Sequence, residues 1–224
     1  MRYQTVGKPK LISAFKHNLR EAIPPRENID RTRSHLNRIL IGADTAQGIA
    51  DEARRLKSLS GITHTRKNCA EALEILFSLP ISFAGDHEAF FRDCLEWAKQ
   101  VFDLPVLSFV VHMDEAYMHA HCLLLPVRDG KMQGNPIAGT PAMARARAAS
   151  FFDYVGKRYG LAMSRKLNVK DRGILEQRVL AWLADEKKPV LQSDIYPIIR
   201  DHIRNHPEQY AELLGLITLP QLSP

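Results

Sequence analysis

"LPVLSFVVHMDEAYMHAHCLLLPV", residues 104–127, holds two short apolar, partly β-branched runs on either side of a polar connection. Such runs predict an antiparallel β-hairpin. His119 and His121 stand two apart on the second run, so period-two alternation turns both side chains to one face. His112 closes the first run. A turn near Glu115–Ala116 puts His112 almost opposite His119, and three imidazoles then converge on one side of a sheet. Three neutral imidazoles with open positions suit a divalent metal that must also hold substrate oxygens. The chain has nine histidines, and placing three within one hairpin makes the metal reading sharper than chance clustering. The spacing names no reaction: a zinc hydrolase, an oxygenase and a nuclease all remain open. Asp114 and Glu115 fall in the turn, where Glu115 is a candidate general base or hydrogen-bond partner of a histidine.

Outward from the hairpin, Asp86 to Phe102 predicts a helix. Asp86 caps it, and Phe90, Phe91, Leu95, Ala98 and Phe102 recur at helical spacing. Ala46 to Leu59 reads as a surface helix ending before Gly61. Cys69 to Leu79 fits a strand or a helix. Residues 1–12 are expected to open with a strand, and Lys16 to Asn37, broken by Pro24–Pro25, to be loop and short helix. "RDGK", residues 128–131, is a turn leaving the hairpin, and Ala142 to Tyr159 a helix stopped by Gly160. Segments 174–186, 193–204 and 207–216 read as helices. The expectation is an α/β (α+β) fold, an antiparallel sheet flanked by helices over residues 1–170, with a small helical appendage over 171–224.

The 224 residues suffice for a sizeable core, and 45% hydrophobic with 25% charged residues is ordinary for a globular protein. No apolar run approaches ~18 residues, so no membrane span is expected. The N-terminus lacks the apolar stretch of a secretory signal. Cys69, Cys94 and Cys122 match no zinc or redox spacing and read as reduced thiols of a cytoplasmic protein. The net charge of +6 is concentrated. Residues 1–40 carry nine Lys/Arg against three acids, and Pro141 to Gly173 eight against two. Two positive blocks point to a polyanion, in the first place nucleic acid.

Three stretches together carry a resemblance. "HMDEAYMHAHCLLLPV" resembles the histidine motif of the Pre/Mob (MobV-type) plasmid mobilisation relaxases, members of the wider nuclease superfamily with a His-hydrophobic-His pair, here His119-Ala120-His121. "FKHNLRE", residues 15–21, resembles the family's first motif, and "NIDRTRSHLN", residues 28–37, its second. Order and approximate spacing agree, and the resemblance covers roughly residues 1–165. It implies an enzyme that nicks one DNA strand at a plasmid origin of transfer and stays joined to the 5′ phosphate. It implies a relaxase-like core, with His112, His119 and His121 holding Mn²⁺ or Mg²⁺, His17 as nucleophile and Glu115 as an acid adjoining that histidine. Arg20, Arg33 and Asn37 fall on the DNA side. Single-stranded and supercoiled plasmid DNA are the implied partners, and the C-terminal helices are the place for a homodimer contact or an accessory protein. The family's Thr-Pro before the paired histidines is replaced by Tyr117-Met118, and typical members carry a longer C-terminal region. The chain is expected to be a minimal, truncated or partly degenerate member.

Rival readings remain. "YVGK", Tyr154 to Lys157, lies on a predicted helix, where rolling-circle replication initiators carry a tyrosine nucleophile. A non-catalytic DNA-binding regulator would keep the pocket for folding alone. A metal hydrolase of small substrates would leave the basic blocks without a purpose.

Overall fold

The computed structural model describes residues 1–22, 29–161, 169–186 and 188–216. Pro24–Pro25 and residues 162–168 of the second basic block lie outside the described residues. The chain divides into two units, Met1–Gly160 and Leu161–Pro224.

Unit 1 is built on a five-stranded antiparallel sheet. Its strands are β1 (Arg2–Gly7), β2 (Arg38–Ile41), β3 (Ala70–Ser78), β4 (Val106–His112) and β5 (His119–Leu124), in the order β1-β3-β5-β4-β2. β4 and β5 form the expected hairpin, with His112 paired to His119 and Val110 to His121. The open reading of Cys69–Leu79 resolves as β3, buried almost throughout and lying between β1 and β5. β2 is a four-residue edge strand in the stretch between Asn37 and Ala46, to which the sequence reading gave no element. Gly42 follows it at φ 104, where an added Cβ would meet the Leu107 carbonyl oxygen at 2.6 Å. Only glycine lets the chain leave β2 across β4 there.

The opening strand stops at Gly7, not near residue 12. Pro9 sits in the first turn of helix α1 (Lys8–Asn18), where its missing N–H costs nothing. The connection to β2 contains a short 3-10 turn, Arg31–Leu36, capped by the Asp30 carboxylate accepting from the Thr32 N–H. Helix α2 (Ala46–Leu59) is capped by Thr45, and buries Ala46, Ile49, Ala50 and Ala53 on one stripe. Helix α3 (His87–Phe102) is capped by Asp86 as expected. "RDGK" is the tip of a small hairpin between β6 (Val127–Arg128) and β7 (Lys131–Met132), with Asp129 and Gly130 both at positive φ as a type I′ turn demands. A short helix α4 (Gly134–Ala138) leads to α5 (Pro141–Tyr154). That helix ends five residues before Tyr159, and the chain finishes the unit in a 3-10 turn, Gly156–Tyr159.

The two faces of the sheet have different covers. On one, Leu11 and Phe15 of α1 and Ile49, Ala50 and Ala53 of α2 pack on Ala72, Leu107 and Leu123. On the other, Phe77 meets Trp97 of α3 at 6.0 Å between ring centroids and Phe151 of α5 at 5.3 Å. Burying each such ring contributes about 1.5–3 kcal/mol, so both faces are firmly closed. By alternation, Ser108, Val110 and His112 share the α1 face with His119, His121 and Leu123, and with Glu74 of β3. The histidines therefore lie beneath the end of α1, and α5 covers the opposite face.

Unit 2 is helical. α6 (Val169–Asp185), α7 (Tyr196–Asn205) and α8 (Pro207–Leu213) gather around Leu175, Val179, Ile203 and Ala211. Among the described residues no helix is long and apolar enough to cross a membrane.

Candidate metal centre and strand-transfer site

His112, His119 and His121 bring their rings within 4.9–5.1 Å of one another, centroid to centroid. One potential ligand atom from each lies within 4.8 Å of the others. Their outer nitrogens decide their tautomers. His112 Nε2 lies 2.8 Å from the Asn18 carbonyl oxygen, and His119 Nδ1 lies 2.8 Å from the Tyr117 carbonyl oxygen. His121 Nδ1 lies 2.8 Å from Glu74 Oε1. A carbonyl or carboxylate oxygen only accepts, so each outer nitrogen carries its proton. The remaining nitrogens, His112 Nδ1, His119 Nε2 and His121 Nε2, are then bare lone pairs.

Two of those lone pairs face each other, His112 Nδ1 to His119 Nε2 at 3.2 Å, and His121 Nε2 is buried with no hydrogen-bond partner among the described residues. Facing lone pairs repel unless a cation lies between them. Ligand bonds of about 2.1 Å to one ion hold neighbouring nitrogens about 3.0–3.4 Å apart, which matches the observed contact. The donor set therefore fits a divalent ion. His112 is also kept neutral: burial, seconded by His121, pushes it down to about 2. Burial likewise lowers His119. Burial pushes Glu74 up, but the hydrogen bond and charge of His121, together with the Gln4 hydrogen bond, outweigh this and bring it to about 2, so it meets His121 as a carboxylate. A carboxylate on the far nitrogen orients a ligand imidazole and raises its basicity.

Glu115 lies at the edge of this pocket, its Oε1 3.8 Å from His119 Nε2. His17, on the last turn of α1, brings its ring to 6.2 Å from that of His112 and 5.7 Å from that of His121. The structure thus gathers His17, Glu115 and the three hairpin histidines, drawn from positions about a hundred residues apart. A cavity of ≈ 190 Å³ opens beside them, lined by Arg2, Tyr3, Gln4, Glu74, Leu76 and His121.

Two expected DNA contacts have other work. Arg20 donates from Nε and Nη2 to both oxygens of Asp114, at 2.9 and 2.6 Å, and from Nη2 to Glu115 at 2.7 Å. To do so it takes the left-handed conformation at φ 59, a strained choice for arginine. Asn37 donates to Asp114 at 2.8 Å and accepts from the Met113 N–H at 2.8 Å. Both side chains are committed to the hairpin connection rather than turned to a strand of DNA. Arg33 is exposed. Tyr154 hydrogen-bonds to Gln100 of α3 and lies on the helix covering the other face of the sheet, away from the histidines.

Sequence reasoning missed the centre of this arrangement. Asp114 is fully buried and accepts from Arg20, Ser34 and Asn37. Its backbone oxygen takes the Asp30 N–H at 2.8 Å. Those bonds, with the Met118 carbonyl accepting from the Leu79 N–H at 2.9 Å, fix the connection that the absent Thr-Pro would have stiffened. The other omission is Glu74, the oriented partner of His121.

The comparisons with known proteins agree with this geometry. The sequence matches the plasmid recombination enzyme (Mob/Pre) family over residues 1–174. No curated protein matches it significantly. Among solved structures it is similar to the manganese-bound MobM relaxase domain with origin-of-transfer DNA of plasmid pMV158, crystallised at pH 6.8. The TM-score is 0.65 at 21% identity over 74% of this chain and 88% of that one. The same domain with a 26-nucleotide DNA gives 0.58 at 17% identity, over 75% and 95%. These are likenesses of fold. The family match spans all of unit 1, and with it His17, Glu115 and the whole histidine cluster, so the chain belongs to the plasmid recombination enzyme family.

Proposed function

We propose that the chain is a relaxase: a metal-dependent DNA strand transferase that nicks one strand at a plasmid origin of transfer and joins it to His17. Three tautomer-locked imidazoles presenting lone pairs beneath a fourth histidine carry this reading. The MobM structures, bound to manganese and origin DNA, support the choice of metal and substrate.

His112, His119 and His121 would hold Mn²⁺ or Mg²⁺, and Glu115 would add a hard oxygen or accept a proton at the rim. Bound there, the ion would supply positive charge to a non-bridging phosphate oxygen as charge develops. The chain's own residues do the rest. A lone pair of the His17 imidazole forms the P–N bond while the P–O3′ bond breaks. The 3′ oxygen leaves with its electron pair and takes up a proton, and the imidazole sheds one from its other nitrogen. The resulting phosphoramidate stays on the 5′ end and can be reversed by a 3′ hydroxyl. Arg20 acts through Asp114 and Glu115, holding the rim acid in place, and Asn37 anchors the same connection. Arg33 meets neighbouring phosphates. Supercoiled plasmid carrying the chain's own flanking DNA should be relaxed with Mn²⁺ and not without it, with protein on the 5′ end. Intact plasmid under both conditions would reject the relaxase reading.

Removing a ligand tests the metal. His119→Ala and His121→Ala should each abolish the rise in melting temperature on adding Mn²⁺. Glu74→Gln should weaken Mn²⁺ binding about 10–100-fold, by loosening the orientation of His121. Unchanged affinity in all three would remove the proposed ligand set. For the DNA, Arg33→Ala should weaken single-strand binding several-fold and flatten the log–log salt slope by about 0.7, the value of one phosphate contact. A slope equal to the parent's would take Arg33 out of the interface.

A further inference from the structure

A second positive cleft lies at the other end of the sheet. The connection from α2 to β3 faces the β6–β7 hairpin and the start of α4 across a cleft of ≈ 870 Å³. His64, Arg66, Lys67, Asn68, Lys131 and Asn135 line it, all exposed, and no acid is among its lining residues. Among the described residues, Arg66, Lys67 and Lys131 have no ion-pair partner. Cations on neighbouring α2 do: Arg54 pairs with Asp51, Arg55 with Glu52 and Lys57 with Glu71. Glu71, the acid beneath the cleft, is buried, and both its oxygens are taken, by Lys57 and Thr65. It does little to offset the rim. Exposed Lys8 follows Gly7, whose Cα is the register partner of Ala70, and so extends the positive surface toward α1.

The place of this cleft is fixed by β3. Ala70, at its start, lines the cleft, and Ser78, at its end, is the register partner of His119. A nine-residue strand rising about 3.3 Å per residue separates the two by about 26 Å. A base-stacked single strand covers that distance in about eight nucleotides. The cleft is too far to share a phosphate with the metal centre, and it is concave, with asparagine amides beside the cations. That suits a single strand better than the convex side of a duplex.

We propose that this cleft is a second DNA contact, holding two or three phosphates of a single strand roughly eight nucleotides from the one attacked. The proposal rests on the strand-transferase reading, and the test separates the two. Arg66→Ala/Lys67→Ala/Lys131→Ala would be compared with Arg54→Ala/Arg55→Ala/Lys99→Ala, which removes the same charge from paired positions, Lys99 of α3 being paired with Glu96. Each would be titrated with a mixed-sequence single strand of about 30 nucleotides over a range of salt. The cleft variant should bind at least about tenfold more weakly at low salt, with a log–log slope flatter by about 2. The control should stay within about threefold of the parent. The Mn²⁺-induced rise in melting temperature should be unchanged in both, reporting an intact fold and centre. Lys131→Gln alone should weaken binding about threefold, which covers failure of the triple variant to fold. Equal losses in cleft and control variants, or no loss in either, would overturn the second contact while leaving the nicking reading in place. A parent protein that binds no single strand would overturn both.

Discussion

Replacing His17 by alanine is expected to eliminate the covalent protein–DNA adduct and to lower nicking by at least about 10³-fold, while leaving Mn²⁺ binding intact. The size follows from losing a nucleophile outright, since residual catalysis by electrostatics and binding alone is small. The sparing of the metal follows from position: His17 belongs to α1, and the ligand set closes without it. The chemistry of the adduct gives a second readout. A phosphohistidine is a phosphoramidate, hydrolysed in acid and resistant to base, whereas a phosphotyrosine linkage survives acid better. Tyr154→Phe should therefore leave an acid-labile adduct unchanged, because Tyr154 is bonded to Gln100 on the far side of the sheet. An acid-stable adduct retained in His17→Ala and lost in Tyr154→Phe would reassign the nucleophile and point to a replication initiator. Full loss in both would leave no basis for choosing His17 on geometry.

The hairpin and its histidines were legible because their information is local. Period-two alternation and a short connection fix which faces the side chains take, and His112 pairs with His119 as that arithmetic requires. β3 was ambiguous for a physical reason. A strand buried on both faces shows no alternation, and "AEALEILFS" carries Glu71 and Glu74 inside, Glu71 held by Lys57 of α2 and Glu74 by His121 of β5. β2 was missed because four edge residues, mostly exposed, give too short a pattern. α1 was missed because residues 8–12 read as a continuation of the opening strand, although Pro9 is compatible with a helix start. The polar scaffold was hidden most completely. Arg20, Ser34 and Asn37 lie 94, 80 and 77 residues from Asp114, and nothing in local spacing couples them. A charged pair such as Asp114-Glu115 in a turn reads as solvated until tertiary packing buries one of them.

That burial leads to the largest expected stability effect. Asp114→Ala should destabilise the protein by about 3–5 kcal/mol, lowering its melting temperature by roughly 10 °C. Asp114 accepts four side-chain hydrogen bonds, two from Arg20 and one each from Ser34 and Asn37. Alanine would leave the Arg20 guanidinium, 8% exposed, with Glu115 as its one remaining carboxylate among the described residues, and would strip the Ser34 and Asn37 donors of their acceptor. A buried charge missing its partner costs far more than the net worth of the pair, so the loss exceeds that of any surface ion pair here. Asp114→Asn keeps the shape and loses the charge, and should fall between alanine and the parent. The pH dependence follows from sign. Burial pushes the Asp114 carboxyl up, but Arg20, Ser34 and Asn37 together hold it well below the usual carboxylate range. Its folded pKa thus lies beneath its unfolded value of about 3.9, so its contribution is complete above that value. It fades as pH falls toward the folded pKa. The gap between parent and Asp114→Asn, followed by thermal denaturation, should be flat from about pH 8 to pH 5 and close only in stronger acid. Because Arg20 also holds Glu115, Asp114→Asn should lose nicking activity at a temperature where it remains folded. Full activity with a difference in stability below about 1 kcal/mol would mean that the buried network neither supports the fold nor positions the rim of the site.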